Sequence, residues 1–292
     1  MSARIGFIGV GRMGAAMAEQ VAKAGLSLGV YDVDAKACQR MAALGATVAE
    51  SPKELAAQSD LISIVVLDDA QVRQVMSGAD GVLDGARPGA VVAVHSTVHL
   101  STLLEVAERA RSREVEIIDA AVSGHVAGAN KGELAVMLGG NADTIERFRT
   151  VFETYGGLVL RMGPLGSGMK TKLARNAIGY LQLLAAYEGM RLATAAGIDL
   201  ADLTRIVQYS EARSGLLNFY MSRPTVDPLD PARKDHEALL GVARTVVPTA
   251  DKDLSAALAL GDELDVDLPA VRLGRAWLRA VWGLEPPPGH PD

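Results

Sequence analysis

A short glycine-rich segment near the start of the sequence combines residue types that bind phosphate groups. The segment Gly9–Gly14 reads GVGRMG, follows the apolar run Ile5–Ile8 and precedes a helical stretch. In such a strand-to-helix turn Gly9 allows the tight bend, Gly11 lets the backbone approach a pyrophosphate, and Gly14 lets helix and strand pack closely. The helix N-terminus stabilises the anion. The motif predicts a dinucleotide site formed by Gly9, Val10, Gly11, Arg12, Met13 and Gly14.

One acidic residue marks the second half of this predicted site. Asp32 follows the apolar run Leu28–Tyr31 and lies 18 residues after Gly14. A carboxylate at this place accepts hydrogen bonds from the adenosine ribose, and its charge repels a 2′-phosphate. The neighbouring Val33 is not a cation that could bind such a phosphate. We therefore expect NAD as the cofactor in preference to NADP.

Two polar residues, Lys172 and Asn176, stand four positions apart in a long, mainly apolar helical stretch. This spacing places them on one face of the helix. A lysine can take or deliver a hydroxyl proton if burial or a neighbouring cation lowers its pKa towards the working pH. Oxidation of an alcohol by hydride transfer needs such a group. From these residues alone, an equal alternative is that both lie on a solvated edge of the helix.

The elements that must position these residues fall into two parts. Up to residue 163, seven short apolar runs alternate with helical stretches: Ile5–Ile8, Leu28–Tyr31, Leu61–Leu67, Val91–Val94, Glu116–Asp119, Ala135–Leu138 and Leu158–Arg161. This alternation predicts an α/β domain with a Rossmann-type doubly wound sheet over residues 1–163. Residues 164–292 are predicted as an all-helical domain for substrate binding and oligomerisation.

The predicted second part begins with a long interdomain helix over residues 168–196, ended by Gly197, with Asp199 as the N-cap of the next helix. Further helices are expected at 200–210, 235–246, 249–264 and 269–282. The proline-rich segment Ser222–Pro231 is predicted to be an irregular loop.

The composition excludes several classes of protein. The 292 residues carry a net charge of −6, so there is no basic surface for nucleic acid. The longest apolar runs, such as Leu61–Leu67, are much shorter than the roughly 18 residues of a membrane span. The single cysteine, Cys38, and the lack of a signal-like leader favour a cytoplasmic protein. The five histidines lack the spacing of a metal site, so no metal is expected.

Four segments together resemble the β-hydroxyacid dehydrogenases, a family that includes 3-hydroxyisobutyrate and 6-phosphogluconate dehydrogenases and tartronate semialdehyde reductases. Residues 6–14 (GFIGVGRMG) are similar to the family motif GFIGLGxMG, and residues 119–125 (DAAVSGH) to DAPVSGG. Residues 166–176 (GSGMKTKLARN) resemble GxGxxxKxxNN, and residues 252–254 match KDL. The resemblance extends over nearly the whole chain.

This resemblance implies an NAD-dependent oxidoreductase that acts on a small anionic substrate, a short β-hydroxy acid or its semialdehyde. It implies Lys172 as general acid/base, Asn176 as the residue that holds the substrate oxygen, and Ser123 with Gly124 as the carboxylate site. It also implies that Ser96 and Thr97 face the nicotinamide ribose or ring, and that Lys252 closes over cofactor and substrate. Members of the family commonly form homodimers or homotetramers.

Departures from the family motifs leave the substrate open. Ala121 replaces a proline, His125 a glycine and Arg175 an asparagine, while Arg213 lies where the second domain contributes to substrate choice. The alternatives are an imine reductase of similar domain plan and a catalytically silent NAD-binding scaffold. The retained Lys172 and the Ser123–Gly124 carboxylate site argue against the former, because a cyclic imine has no carboxylate to bind. The retained Lys172 also argues against the latter.

Overall fold

The computed structural model describes residues 3–195, 197–209, 229–263 and 269–286. The contacts within the chain divide it into two units, Met1–Lys172 and Leu173–Asp292. The helix Ser167–Ala195 begins in the first unit and continues into the second. Arg213 and the end of the chain after residue 286 lie outside the described residues.

The first unit contains an eight-stranded sheet in the order β3-β2-β1-β4-β5-β6-β7-β8. All neighbouring strands are parallel except β6 and β7, which are antiparallel. The strands are β1 Arg4–Ile8, β2 Ser27–Tyr31, β3 Thr47–Val48, β4 Leu61–Ile64, β5 Val91–Val94, β6 Glu116–Ser123, β7 Leu134–Gly139 and β8 Gly156–Gly163. This arrangement confirms the predicted Rossmann-type α/β domain.

Helices connect the strands of this sheet. They are α1 Arg12–Lys23, α2 Ala35–Ala42, α3 Pro52–Ala57, α4 Asp69–Ser77, α5 Val82–Gly85, α6 Leu100–Arg111, α7 His125–Lys131 and α8 Ala142–Tyr155. Because helices cover a parallel sheet on its faces, its strands are apolar along their length. The core accordingly contains every residue of β4 and β5, with Phe7, Phe148 and Phe152 among its largest side chains.

Two strand predictions differ from the structure by three or more residues at one end. The run Leu61–Leu67 forms a strand only to Ile64, because its last residues enter the loop that precedes α4. The run predicted to end at Asp119 continues as β6 to Ser123, since β7 pairs with it over this added length. The short strand β3 was not predicted, because two residues carry no periodicity.

The predicted long helix is confirmed as α9, Ser167–Ala195. Its 29 residues correspond to about 44 Å. At its end Gly197 adopts a φ of 73°, and its N–H donates to the Thr194 carbonyl at 3.0 Å. Asp199 then caps the next helix, α10 Leu200–Tyr209, by accepting the N–H groups of Ala201 and Asp202 at 2.8 and 3.1 Å. Gly197 therefore ends α9 and Asp199 begins α10, as the sequence predicts.

The prediction of separate helices at 235–246 and 249–264 is wrong. A single helix, α11 His236–Glu263, runs through Pro248, which supplies no N–H for the carbonyl of Arg244. Ala243, Val247 and Ala250 on either side of the proline are buried, and their shared packing keeps the helix continuous. The last described helix is α12, Pro269–Val281.

The core of the second unit forms from α9, α11 and α12, and it includes Trp282 just after α12. Of the predicted loop Ser222–Pro231, the structure describes residues 229–231, which belong to no helix or strand, while 222–228 lie outside it. In the described parts of the chain, no helix is both long enough and apolar enough to cross a membrane.

Candidate active site

The glycine-rich segment forms a cradle between β1 and α1. Gly9 has a φ of 86°, and a Cβ atom there would lie 2.3 Å from the Val65 carbonyl oxygen. A Cβ atom on Gly14 would lie 1.9 Å from the Gly9 oxygen, so both positions exclude a side chain. Gly11, by contrast, has nothing within 4 Å of such an atom. It is also the N-cap of α1, where no side chain caps the helix. The backbone N–H groups therefore face an open space that suits a phosphate.

Asp32 connects the end of β2 to this cradle. Its Oδ2 accepts the N–H of Val10 at 2.7 Å, and its Oδ1 accepts the N–H of Asp34 at 2.9 Å. A carboxylate oxygen has two lone pairs, so each oxygen retains capacity for a ribose hydroxyl. Val33 beside it is 91% exposed. The open glycine edge, the uncapped helix and this fixed carboxylate fit a dinucleotide.

The loops after β4 and β5 are tied to each other. The buried Ser96 hydroxyl donates to the Val66 carbonyl at 2.8 Å and accepts the Val66 N–H at 2.9 Å. Asp69, at the start of α4, accepts hydrogen bonds from the backbone N–H of His99 at 2.9 Å and from its ring Nδ1 at 3.1 Å. Burial raises the pKa of Asp69, but hydrogen bonds from Thr102 and His99 outweigh it and lower that pKa below its ordinary value. Ser96 thus braces the loop, and the half-buried Thr97 follows it.

The end of β6 carries the predicted carboxylate site. Ser123, the last strand residue, is half-buried, while Gly124 and His125 are exposed. Gly124 has a φ of 137°. His125 has a φ of 58°, in the left-handed region that residues other than glycine adopt infrequently, with asparagine, aspartate and histidine doing so more often than the rest. The structure therefore places a histidine where the backbone suits glycine.

Asp119, on the same strand, was part of a recognised motif but received no role from the sequence. Its side chain is fully buried, and its two oxygens accept the N–H groups of Gly166 and Met169 at 2.7 and 2.6 Å. Burial raises the pKa of Asp119, and the hydrogen bonds from the backbone of residues 166–169 oppose that rise. The carboxylate therefore holds the first turn of α9 against β6.

In the second unit, Asn176 is the centre of a buried polar network. It is 2% exposed; its Nδ2 donates to Asp253 Oδ2 at 2.5 Å, and its Oδ1 accepts from Arg175 at 3.2 Å. The Tyr180 hydroxyl donates to the same Asp253 oxygen at 3.4 Å, and Lys252 Nζ lies 3.4 Å from Asp253 Oδ1. Burial and the Asp253 charge raise the pKa of Tyr180 above its ordinary value, so it remains a donor. This burial contradicts a solvated edge at Asn176.

The predicted site residues are distributed over both units. The first unit contains Gly9–Gly14, Asp32, Ser96, Thr97, Ser123, Gly124 and the half-buried Lys172. Because β1, β2, β4, β5 and β6 are successively parallel, their carboxyl ends lie at one edge of the sheet, where ligands of such folds bind. The second unit contains Asn176 and Lys252.

The structure adds two carboxylates, Asp119 and Asp253, to the predicted set. Each stands in a segment that the sequence singled out, residues 119–125 and 252–254. A buried aspartate must have partners, but a sequence does not show which. Among the residues that the structure describes, no group of three or more His, Cys, Asp or Glu side chains could hold a metal ion.

Two family profiles match most of the chain. A family profile for the NAD binding domain of 6-phosphogluconate dehydrogenase matches residues 4–163. A second profile, described as NAD-binding of NADP-dependent 3-hydroxyisobutyrate dehydrogenase, matches residues 166–283.

Among similar proteins, an uncharacterized oxidoreductase of Mycobacterium tuberculosis is 38% identical over 99% of this chain and 95% of its own. An NAD-dependent L-serine dehydrogenase of Pseudomonas aeruginosa is 32% identical, covering 80% of this chain and 78% of the relative. The solved structure of M. tuberculosis 3-hydroxyisobutyrate dehydrogenase with L-serine superimposes with a TM-score of 0.81 at 26% identity, covering 95% and 93%.

Proposed function

Because the chain belongs to the β-hydroxyacid dehydrogenase family, we propose that it is an NAD-dependent oxidoreductase for short β-hydroxy acids or their semialdehydes. The observation that carries the proposal is the buried polar network at Asn176, four residues after Lys172 on α9. Burial of polar groups costs free energy, and packing alone does not require it. A site that recognises a hydroxyl oxygen does require such polar groups.

The cofactor site is assigned to Gly9–Gly14 and Asp32, with Thr97 and Lys252 as further contacts. The bound nicotinamide ring supplies the hydride-transfer chemistry. Asp32 supports NAD rather than NADP, because a 2′-phosphate would meet its fixed negative charge. We assign to Ser96 the indirect task of fixing the loop from which Thr97 faces the cofactor, since both hydrogen bonds of its hydroxyl go to Val66.

Lys172 is proposed as the general acid/base. During oxidation its amine takes the proton of the substrate hydroxyl, and during reduction its ammonium returns that proton to the carbonyl oxygen. Asn176 carries two hydrogens on Nδ2; Asp253 accepts one, and we assign the other to the substrate oxygen. Asp253 thereby fixes which end of the amide is presented.

Ser123 and Gly124 are proposed to bind the substrate carboxylate through a hydroxyl and a backbone N–H. Their position at the carboxyl end of β6 supports this role, because ligands of parallel sheets collect there. The serine-binding relatives favour a β-hydroxy acid of three or four carbons, including L-serine. His125, exposed beside this pair, is proposed to contact the part of the substrate that differs between such acids.

We further propose a cytoplasmic homodimer or homotetramer with its domain boundary at residues 163/164. The boundary falls between β8 and α9, and the two matched family profiles meet near it. The single buried Cys38 has no second cysteine in the chain with which to form a disulfide, which fits a reducing compartment.

The function is tested by following NAD reduction with 3-hydroxyisobutyrate, 3-hydroxypropionate and L-serine, and by repeating each assay with NADP. We expect turnover of at least one acid and higher kcat/KM with NAD. Turnover of cyclic imines without any hydroxy acid would instead assign the chain to imine reduction. NADH binding without turnover of any of these compounds would indicate that the chain is a cofactor-binding scaffold.

A further inference from the structure

Asp119 and Ser123 lie on the same face of the sheet. β6 pairs in unbroken register with β7 from Asp119 opposite Gly139 to Ser123 opposite Ala135. Since side chains alternate along a strand, residues 119 and 123 point to one side, about 13 Å apart along the strand. The hydrogen bonds to Asp119 place the N-terminus of α9 on that side as well. The helix of Lys172 therefore starts on the face that presents Ser123.

The contact at Asp119 leaves no space for a side chain on either neighbouring glycine. A Cβ atom on Gly168 would lie 2.2 Å from the Met137 carbonyl oxygen and 2.9 Å from Asp119 Oδ2. A Cβ atom on Gly139 would lie 2.2 Å from Asp119 Oδ1. Because Gly168 on the helix and Gly139 on β7 have no side chains, the Asp119 carboxylate and the first turn of α9 can approach each other to van der Waals distance.

The chemistry of the contact also favours the N-terminal end of α9 beside Asp119. Both oxygens of Asp119 accept N–H groups, which suits a carboxylate, and a negative charge at a helix N-terminus is stabilised by the helix dipole. Lys172 comes three residues after Met169, about 4.5 Å further along the helix axis. A displacement of the first turn of α9 therefore also displaces Lys172, which lies less than one turn after Met169.

We propose that Asp119 is a positioning residue, which clamps the first turn of α9 to β6 and so sets Lys172 relative to the Ser123 carboxylate site. The proposal rests on the function assigned to Lys172 and Ser123 above. It predicts that loosening the clamp impairs the proton transfer while the cofactor site, on other loops, remains intact.

Two variants loosen the clamp from opposite sides. Asp119→Asn keeps the size of the side chain but removes its charge and turns one oxygen into an N–H donor. Gly168→Ala keeps the carboxylate and displaces the helix, because its Cβ would meet the Met137 oxygen. The matched control is Asn141→Ala, which removes the cap of α8, where Asn141 accepts the N–H groups of Asp143 and Thr144.

Kinetics of the folded fraction, with the Kd for NADH measured by fluorescence, test the role. We expect both clamp variants to lower kcat at least about tenfold, with changes below about threefold in the KM for the hydroxy acid and in the Kd for NADH. Asn141→Ala should leave kcat within about twofold even where it lowers the melting temperature. Unchanged kcat in Asp119→Asn, or an equal loss in Asn141→Ala, overturns the proposal.

Hydrogen exchange separates this result from a failure of the proposed function. If the wild-type protein oxidises no hydroxy acid, the assigned activity is wrong, and the clamp is judged by exchange alone. In Asp119→Asn the amides of residues 166–172 should then exchange at least about tenfold faster than in the wild type, with α8 unchanged. Equal exchange in the two proteins refutes the clamp.

Discussion

Asn176 donates from Nδ2 to Asp253 Oδ2 at 2.5 Å, and the pair joins α9 to α11 with both residues no more than 3% exposed. Arg175 and Tyr180 complete the arrangement from the same helix as Asn176. The amide that follows Lys172 by one helical turn is thus held in a single orientation by a residue 77 positions later in the sequence.

Replacement of Asp253 should impair both stability and catalysis. Asp253→Ala leaves the Asn176 amide buried without its acceptor, a loss of about 1–3 kcal/mol in the free energy of unfolding. It should also raise the KM for the hydroxy acid, because the amide is no longer oriented. The matched control is Asp251→Ala on the same helix, which breaks only the exposed ion pair with Arg275. Denaturant unfolding and kinetics measure both effects; equal behaviour of the two variants contradicts the role of Asp253.

The choice of cofactor should depend on Asp32 and Val33. Wild-type protein is expected to bind NADH more tightly than NADPH, since Asp32 repels the 2′-phosphate. The double variant Asp32→Ser, Val33→Arg should reverse this order, with each Kd changed by about tenfold, equivalent to about 1.4 kcal/mol. Fluorescence titration with both cofactors decides, with Val33→Ala as the control. Tighter binding of NADPH by the wild type contradicts the assignment.

The left-handed backbone conformation of His125 should destabilise the folded state. His125→Gly relieves a φ of 58° and is expected to raise the free energy of unfolding by about 1 kcal/mol, a few degrees in Tm. His125→Ala removes the imidazole but keeps the strain, and serves as the matched control. If His125 contacts the substrate, both variants change the relative kcat/KM for L-serine and 3-hydroxyisobutyrate. A glycine variant no more stable than the alanine variant contradicts the strain.

His95 should make the protein sensitive to acid. Its Nδ1 donates to the Ala120 carbonyl at 2.6 Å in the core, and burial lowers its pKa to about 4. Between about pH 6.5 and 4 the unfolded chain binds a proton at this residue that the native state does not. Stability is therefore lost as the pH falls through this range, by about 3 kcal/mol for the full shift.

Unfolding of wild type and His95→Gln at pH 7 and pH 4.5 checks this sensitivity. The variant starts less stable at pH 7, because it disturbs the core, but should lose less stability on acidification. His99→Gln, at a half-buried histidine outside the core, is the control. An equal loss in wild type and His95→Gln contradicts the assignment to His95.

The sequence predicted the elements with local signals and missed those that depend on distant contacts. The bounds of α9 were predicted to within one residue, because Gly197 and Asp199 are residue types that end and begin helices. The proline at 248 suggested a break that packing of α11 overrides. Neither periodicity nor spacing could reveal the partners of Asp119, whose donors lie 47 and 50 residues away. The roles of the site residues remain predictions.

The most direct test of the central claim is the kcat of Lys172→Met with a hydroxy acid that the wild type oxidises. Loss of a general acid/base is expected to lower kcat by about 10²- to 10⁴-fold, while the Kd for NADH stays within about twofold. Lys170→Met, which changes an exposed lysine two positions earlier, should keep nearly all activity. A Lys172→Met protein with the kcat of the wild type would contradict the account.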